Sequence, residues 1–265
     1  MSKGYVILAQ NTHEVNYVDC AEALALSIKK VMPESSITLI SDNQSNCTAF
    51  DKIVPLPYGD LVPNSNWKLI NDWQVYEASP YEYTIKLEAD MIVPSNIDYY
   101  WEALKHKDLV VSTAIRNYRG EIIHDVFYRQ FIINNNLPNC YNALTYFRKS
   151  ELAEQFFMIV KDIFENWDQY KLILKCKSTE EVSTDWAYSI ACHILGKDKT
   201  TMPMYDQFTM VHMKQKVNDL FTEDWTKELV CEFTENGFRI NTFLQTHPFH
   251  YHIKDFSKEV KKNVG

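Results

Sequence analysis

The chain has 265 residues, 46% of them apolar and 14% aromatic, and a formal net charge of −8 at pH 7. That length and apolar content suffice to bury a full core, and one large α/β domain is the first expectation. The acidity excludes a protein that coats nucleic acid without regard to sequence, because neutralising phosphates takes lysine and arginine.

Tyr5-Val6-Ile7-Leu8-Ala9 is an apolar run that ends in the polar Gln10-Asn11-Thr12, the pattern of a buried strand meeting a loop. Across residues 18–31, Ala21, Leu24, Ala25 and Ile28 share one helical face, and Pro33 stops the helix. Ile37–Ile40 is the next strand, and this strand–helix–strand order predicts a parallel βαβ unit. Residues 52–56 read as an edge strand, and 67–78 as a helix capped by Ser65 or Asn66. Residues 83–87 form a central strand, 97–104 a helix, and 109–113 and 142–147 further strands. Residues 151–167 make a long amphipathic helix with Leu152, Phe156, Ile159 and Ile163 in phase, followed by a helix over 184–195. A late strand over 249–253 would turn His250 and His252 to one face.

No apolar run reaches the roughly 18 residues a membrane span needs, and with Met1-Ser2-Lys3-Gly4 leading straight into a strand-like run a secretory signal is not expected. Cys20, Cys47, Cys140, Cys176, Cys192 and Cys231 form no C-x-x-C pair, so a zinc cluster or thioredoxin-like site is not expected. Reduced thiols in a cytoplasm are the simplest expectation.

The strongest chemical feature is Glu88-Ala89-Asp90, which places two carboxylates where a buried strand surfaces. In open α/β sheets, ligands collect beyond the carboxyl ends of strands. Mn²⁺ or Mg²⁺ takes oxygen ligands and binds through one or two carboxylates plus substrate phosphates. Such an ion would bridge a diphosphate to Glu88 and Asp90. The tripeptide alone is also an ordinary polar strand end, and its neighbours must decide.

From Trp67-Lys68-Leu69-Ile70 through Glu88-Ala89-Asp90-Met91-Ile92-Val93 to Asn96-Ile97-Asp98, the chain resembles the glycogenin-like (family 8) retaining glycosyltransferases. Their pattern runs from a T-K-L-like helix start through an apolar strand to D-A-D-x-L-V and then N-I-D; Glu88 replaces the first Asp here. The resemblance implies a GT-A type domain over residues 1–265, with a Rossmann-like, mixed but mostly parallel sheet flanked by helices. Residues 1–200 would form the nucleotide-sugar core, and 201–265 would complete the metal and acceptor site. It further implies that Asn11, Thr12 and Tyr17 hold the base, and that Lys68 reaches the nucleotide-sugar. Tyr141-Asn142-Ala143-Leu144 is similar to the family's F-N-S-G segment, which gives Asn142 a place on a sugar, although Ala143-Leu144 replace Ser-Gly. Asp185 resembles the family's sugar-binding acid at a helix start, where the dipole keeps a carboxylate ionised; a plain N-cap is the other reading. The family brings a late His to the metal, followed by Gly and a diphosphate-binding Lys. His252 with Lys258 reproduces that spacing without the Gly, and His250 with Lys254 is the competing register. His212 and Lys214 are further candidates for the same neighbourhood.

The implied reaction moves a sugar from a nucleoside diphosphate, UDP above all, to an acceptor hydroxyl with retention; inversion stays open. The chain also resembles in type the sugar transferases of tailed bacteriophages, some of which glycosylate hydroxymethylcytosine in DNA. That setting implies a host cytoplasm, and Arg116, Arg119, Arg129 and the terminal lysines are the candidate DNA contacts. A metal-dependent nucleotidyltransferase and a non-catalytic sugar- or nucleotide-binding module remain alternatives. The first often carries a Gly-rich loop after its first strand, which Gln10-Asn11-Thr12 lacks.

Overall fold

The computed structural model describes residues 2–124, 127–177, 179–202 and 207–264. Strand β1 (Lys3–Leu8) runs parallel between β2 (Ile37–Ile40) and β4 (Tyr83–Glu88), and β3 (Lys52–Val54) adds a parallel edge beside β2. On the other side of β4, β9 (Tyr141–Arg148) runs antiparallel to both β4 and β6 (Leu109–Ser112), giving the order β3-β2-β1-β4-β9-β6. The expected βαβ unit, the edge strand and the central strand are all present.

Strand alternation splits the core into two layers. Tyr5 and Ile7 point to the face covered by the helix Tyr17–Val31, where Leu24 and Ile28 meet them. Val6 points to the opposite face, with Phe156 and Val160 of the helix Glu151–Glu165 and Ala187 of Thr184–Leu195. Covered on both faces, β4 buries Thr84 to Leu87 without a break. The architecture is thus mixed α/β, a partly parallel sheet flanked by helices.

A second sheet has the order β5 (Met91–Ile92), β14 (Phe249–His250), β10 (Met210–His212), β7 (Ile115–Arg116) and β8 (Ile122–Ile123). A meander of β11 (Cys231–Thr234), β12 (Gly237–Ile240) and β13 (Phe243–Leu244) packs Phe238 against Phe249. The helix Phe256–Val264 then lies on Tyr17–Val31, with Ser257 donating to Asp19 at 2.9 Å and Lys261 bridging Asp19 and Glu22.

Three local expectations are corrected. Residues 67 and 68 stay outside any helix: Ser65 Oγ accepts from Trp67 N, and Lys68 Nζ is captured by Asp60 and by the carbonyls of Val62 and Pro63. A 3₁₀ turn, Leu69–Gln74, then leads to the short helix Val75–Ala78. The helix predicted to reach residue 167 ends at Glu165, where Asn166 takes a non-helical conformation, and Trp167–Ile173 starts anew. The late strand stops at His250, because the chain reverses around His252 in a γ-turn: its φ is 61°, and Ile253 N donates to Tyr251 O at 2.7 Å. No described helix is long and apolar enough to cross a membrane.

Candidate functional site

Glu88 is the last residue of β4, and Ala89-Asp90 turn the chain into β5. Pairing of β5 with β14 sets Met91 opposite His250, and Tyr251 N donates to Asp90 O at 3.1 Å. Parallel pairing of β10 with β14 sets His212 beside His250. Backbone pairing between segments remote in sequence therefore carries imidazoles to the acidic strand end. His250 Nε2 lies 3.1 Å from Asp90 Oδ2 and 3.3 Å from Glu88 Oε2. Asn142 Nδ2 donates to Glu88 Oε1 at 2.7 Å, and Lys254 Nζ donates to Asp90 Oδ2.

The electrostatics separate the two acids. Burial pushes the Glu88 carboxyl above its usual value, with His250 pulling the other way. Burial acts on Asp90 too, but His250 and Lys254 outweigh it and hold its carboxyl well below the usual range. Burial, followed by the neighbouring imidazoles, holds His212 and His252 well below the ordinary histidine value. They are neutral near pH 7, which is the form that ligates metals.

The donor chemistry fits a divalent ion. Ligand atoms of Glu88, Asp90 and His250 lie within 4.8 Å of one another, an oxygen-rich set with one nitrogen that suits Mn²⁺ or Mg²⁺. His250 Nδ1 is buried with no hydrogen-bond partner. Such an orphan costs stability unless a ligand binds that same nitrogen, the one turned from the acids, since Nε2 meets them.

These groups open into a cleft of about 350 Å³ beyond the end of β4. A buried polar cluster supports it: Lys86 Nζ lies 2.6 Å from Asp72 Oδ1, and Tyr188 OH donates to Asp72 Oδ2 at 2.6 Å. On one side, Ser183 Oγ caps the helix Thr184–Leu195 by accepting from Trp186 N, so Asp185 is not the cap. Its carboxylate instead accepts from Asn142 N and from Arg129 Nη2, both at 2.9 Å. Arg129 is itself buried over the Tyr141 ring, which removes it from the candidate DNA contacts.

Thr12, Tyr17, Lys68, Glu88, Asp90, Asn142, Asp185 and His252 all line the cleft. Asn11 acts on the backbone instead, where its Oδ1 accepts from Val18 N at 3.0 Å and fixes the entry to the first helix. Lys258 is a correction. It lies on the exposed side of the terminal helix and pairs with Asp255, one turn away, whereas Lys254 lines the cleft and meets Asp90. His250 is the imidazole that touches both acids, while His252 lies on the His250 ring with centroids 3.8 Å apart. Sequence reasoning missed Lys86, Asp72, Tyr188 and Gln10, all part of the cleft or its support. Lys86 was detectable: it stands two residues before Glu88, hence on the same side of β4.

No protein-family description matches the sequence, and no curated protein matches it. Solved structures do resemble the fold. WbbM, a bifunctional glycosyltransferase, superposes on 100% of this chain with a TM-score of 0.55 at 12% identity. The glycosyltransferase GlyE of Streptococcus pneumoniae TIGR4 gives 0.52 over 97% at 10% identity. The galactosyltransferase LgtC, solved with donor and acceptor sugar analogues, gives 0.52 over 99% at 11% identity. The chain spans 50% of the WbbM chain, 60% of GlyE and 95% of LgtC. At these identities the likeness speaks to architecture, and the chain has the GT-A-like α/β fold of these glycosyltransferases.

Proposed function

We propose that the chain is a metal-dependent glycosyltransferase that takes a sugar from a nucleoside diphosphate, UDP in the first instance, and gives it to an acceptor hydroxyl. One observation carries this reading: Glu88 and Asp90 leave the end of β4 into a cleft where His250 meets both carboxylates. The fold shared with WbbM and LgtC supports it. The chain acts as one unit, residues 1–200 forming the nucleotide-sugar core and 201–265 completing the site.

A divalent ion, Mn²⁺ or Mg²⁺, held by Glu88, Asp90 and an imidazole of His250 or His252, would neutralise charge on the departing diphosphate. The bond from the anomeric carbon to the diphosphate oxygen breaks and a bond to the acceptor oxygen forms. With retention, the acceptor proton passes to the departing diphosphate. Tyr17 offers its ring to the base beside Thr12, Lys254 adds positive charge near the phosphates, and Lys68 joins it there on release from Asp60. Asp185 is already engaged by Arg129 and by Asn142 N, which suits a group that orients the sugar rather than a strong base. Asn142, tied to Glu88, links sugar placement to the acidic pair.

Charge does not single out a DNA acceptor such as hydroxymethylcytosine in phage DNA. Arg129 is paired with Asp185, Arg119 with Glu121 and Asp219, Lys258 with Asp255, and Lys261 with Asp19 and Glu22. Saccharide, lipid and protein hydroxyls stand on the same footing.

Incubation with a panel of nucleotide-sugars and Mn²⁺ tests the reading by release of the free nucleoside diphosphate. Pyrophosphate released from a nucleoside triphosphate would identify a nucleotidyltransferase instead, and thermal stabilisation without turnover a binding module. Asp90→Asn is expected to cut turnover about a thousandfold, roughly 4 kcal/mol of barrier, while the circular dichroism spectrum is kept. Full turnover by that variant removes Asp90 from the site.

A further inference from the structure

His212, His250 and His252 converge as a group that the sugar-transfer reading uses only in part. Their ligand nitrogens lie within 4.8 Å of one another, and His212 and His250 are almost fully buried. The ring centroids are 4.5 Å apart for His212–His252 and 5.2 Å apart for His212–His250. His252 Nε2 and His212 Nδ1 face each other at 3.3 Å. Two nitrogens bound to one tetrahedral zinc at about 2.0–2.1 Å stand roughly 3.3 Å apart, so this spacing already suits a shared ion.

The backbone is bent to achieve it. His252 occupies the left-handed region at φ 61°, which non-glycine residues seldom adopt and which clusters at ligand sites. The γ-turn is anchored from both sides, by Trp225 Nε1 donating to Tyr251 O at 2.7 Å and by Tyr251 N donating to Asp90 O. His250 contributes a ring whose Nδ1 is buried and has no hydrogen-bond partner.

We propose that His212, His250 and His252 form a nitrogen-donor site for a zinc-class divalent ion, adjoining the oxygen-rich set of Glu88, Asp90 and His250. Imidazole suits Zn²⁺, Co²⁺ and Ni²⁺, whereas carboxylate and water suit Mg²⁺ and Mn²⁺, so the two sets sort ions by chemistry. His250 belongs to both sets, and filling one therefore changes affinity at the other. The proposal concerns ion binding alone and does not rest on sugar transfer.

The test is calorimetric titration of the full chain with Zn²⁺ and separately with Mn²⁺, without nucleotide. His212→Gln is expected to weaken zinc binding by at least about 100-fold, since losing even an outer-shell partner costs about 10–100-fold. Its Mn²⁺ affinity is expected to stay within about threefold of the wild type. Glu88→Gln should show the reverse pattern. His252→Asn, which tolerates a positive φ, guards against misfolding of the His212 variant and should lose zinc in the same way. Cobalt loaded into the wild type supplies an independent readout, an intense visible spectrum typical of few ligands rather than the pale one of an octahedral oxygen site. A pale spectrum overturns the proposal. So does zinc affinity unchanged in both histidine variants, or an equal loss of both ions in each variant.

Discussion

The wall of the cleft formed by β1 and β4, with β2 beside them in the sheet, rests on strands of four to six residues with continuous burial, whereas the wall formed by β10 and β14, with β5 beside them, rests on strands of two or three. The first wall is secured by apolar side chains spread over two layers, so no single apolar contact decides it, with the buried Lys86–Asp72 pair beneath the cleft. The second depends on a few directed contacts: Trp225 Nε1 to Tyr251 O, Tyr251 N to Asp90 O, and Met213 N to His250 O at 3.0 Å. The acids belong to the first wall and the imidazoles to the second. Damage to the first should therefore unfold the protein, and damage to the second should loosen the site while the sheet persists.

The sharpest test of that contrast is Lys86→Met, which leaves Asp72 charged and buried beneath the cleft. Breaking one partner of such a pair is expected to cost about 3–5 kcal/mol in urea unfolding, and the double variant Lys86→Met/Asp72→Leu should recover most of it. A single variant as stable as the wild type would show that the first wall does not depend on its buried charges. Trp225→Phe keeps an apolar ring but removes one of the two donors on the Tyr251 carbonyl, leaving only the γ-turn bond from Ile253 N, at a cost of about 1.5 kcal/mol. Divalent-ion affinity should fall with it while far-ultraviolet circular dichroism stays the same; unchanged affinity would break the proposed division. Next comes the γ-turn. His252→Val should lose about 1–2 kcal/mol, because a β-branched residue resists φ 61°, and His252→Asn should lose much less; equal melting temperatures would argue against the turn. The smallest effect belongs to Lys258→Ala, for which neither melting temperature nor donor turnover should change measurably. A clear loss of turnover would return Lys258 to the site.

Legibility in the sequence follows the same division. The unit from β1 through the first helix to β2, the edge strand β3 and the helix Thr184–Leu195 were readable because periodic burial and local caps determine them. The acidic strand end was readable for the same reason: an uninterrupted buried run gives way to Glu88 and Asp90. The imidazole wall was readable in part as a composition, His250 and His252 standing in a histidine-rich run while His212 lies apart in sequence, but not as a shape. Alternation along a strand predicted a common face for His250 and His252, and they do lie together, but a turn brings them there. Lys254 rather than Lys258 enters the cleft because the helix starts at Phe256 and turns Lys258 outward and Lys261 onto the first helix, a boundary that no cap in the sequence marks. The Lys68 helix start failed because Asp60 and two carbonyls capture its ammonium, and Lys86 went unread because its partner Asp72 comes from a separate 3₁₀ turn.

The helix Phe256–Val264 closes over Tyr17–Val31 through partners as much as 242 residues apart, Asp19 and Lys261. A ribosome adding about 5–20 residues per second needs some tens of seconds to supply the second partner after the first. Once Glu88 has been added the parallel half is available to fold, yet one flank of its first helix lies bare and the histidine turn has not been made. Assembly of the acids with the imidazoles is therefore a late event in the life of the nascent chain.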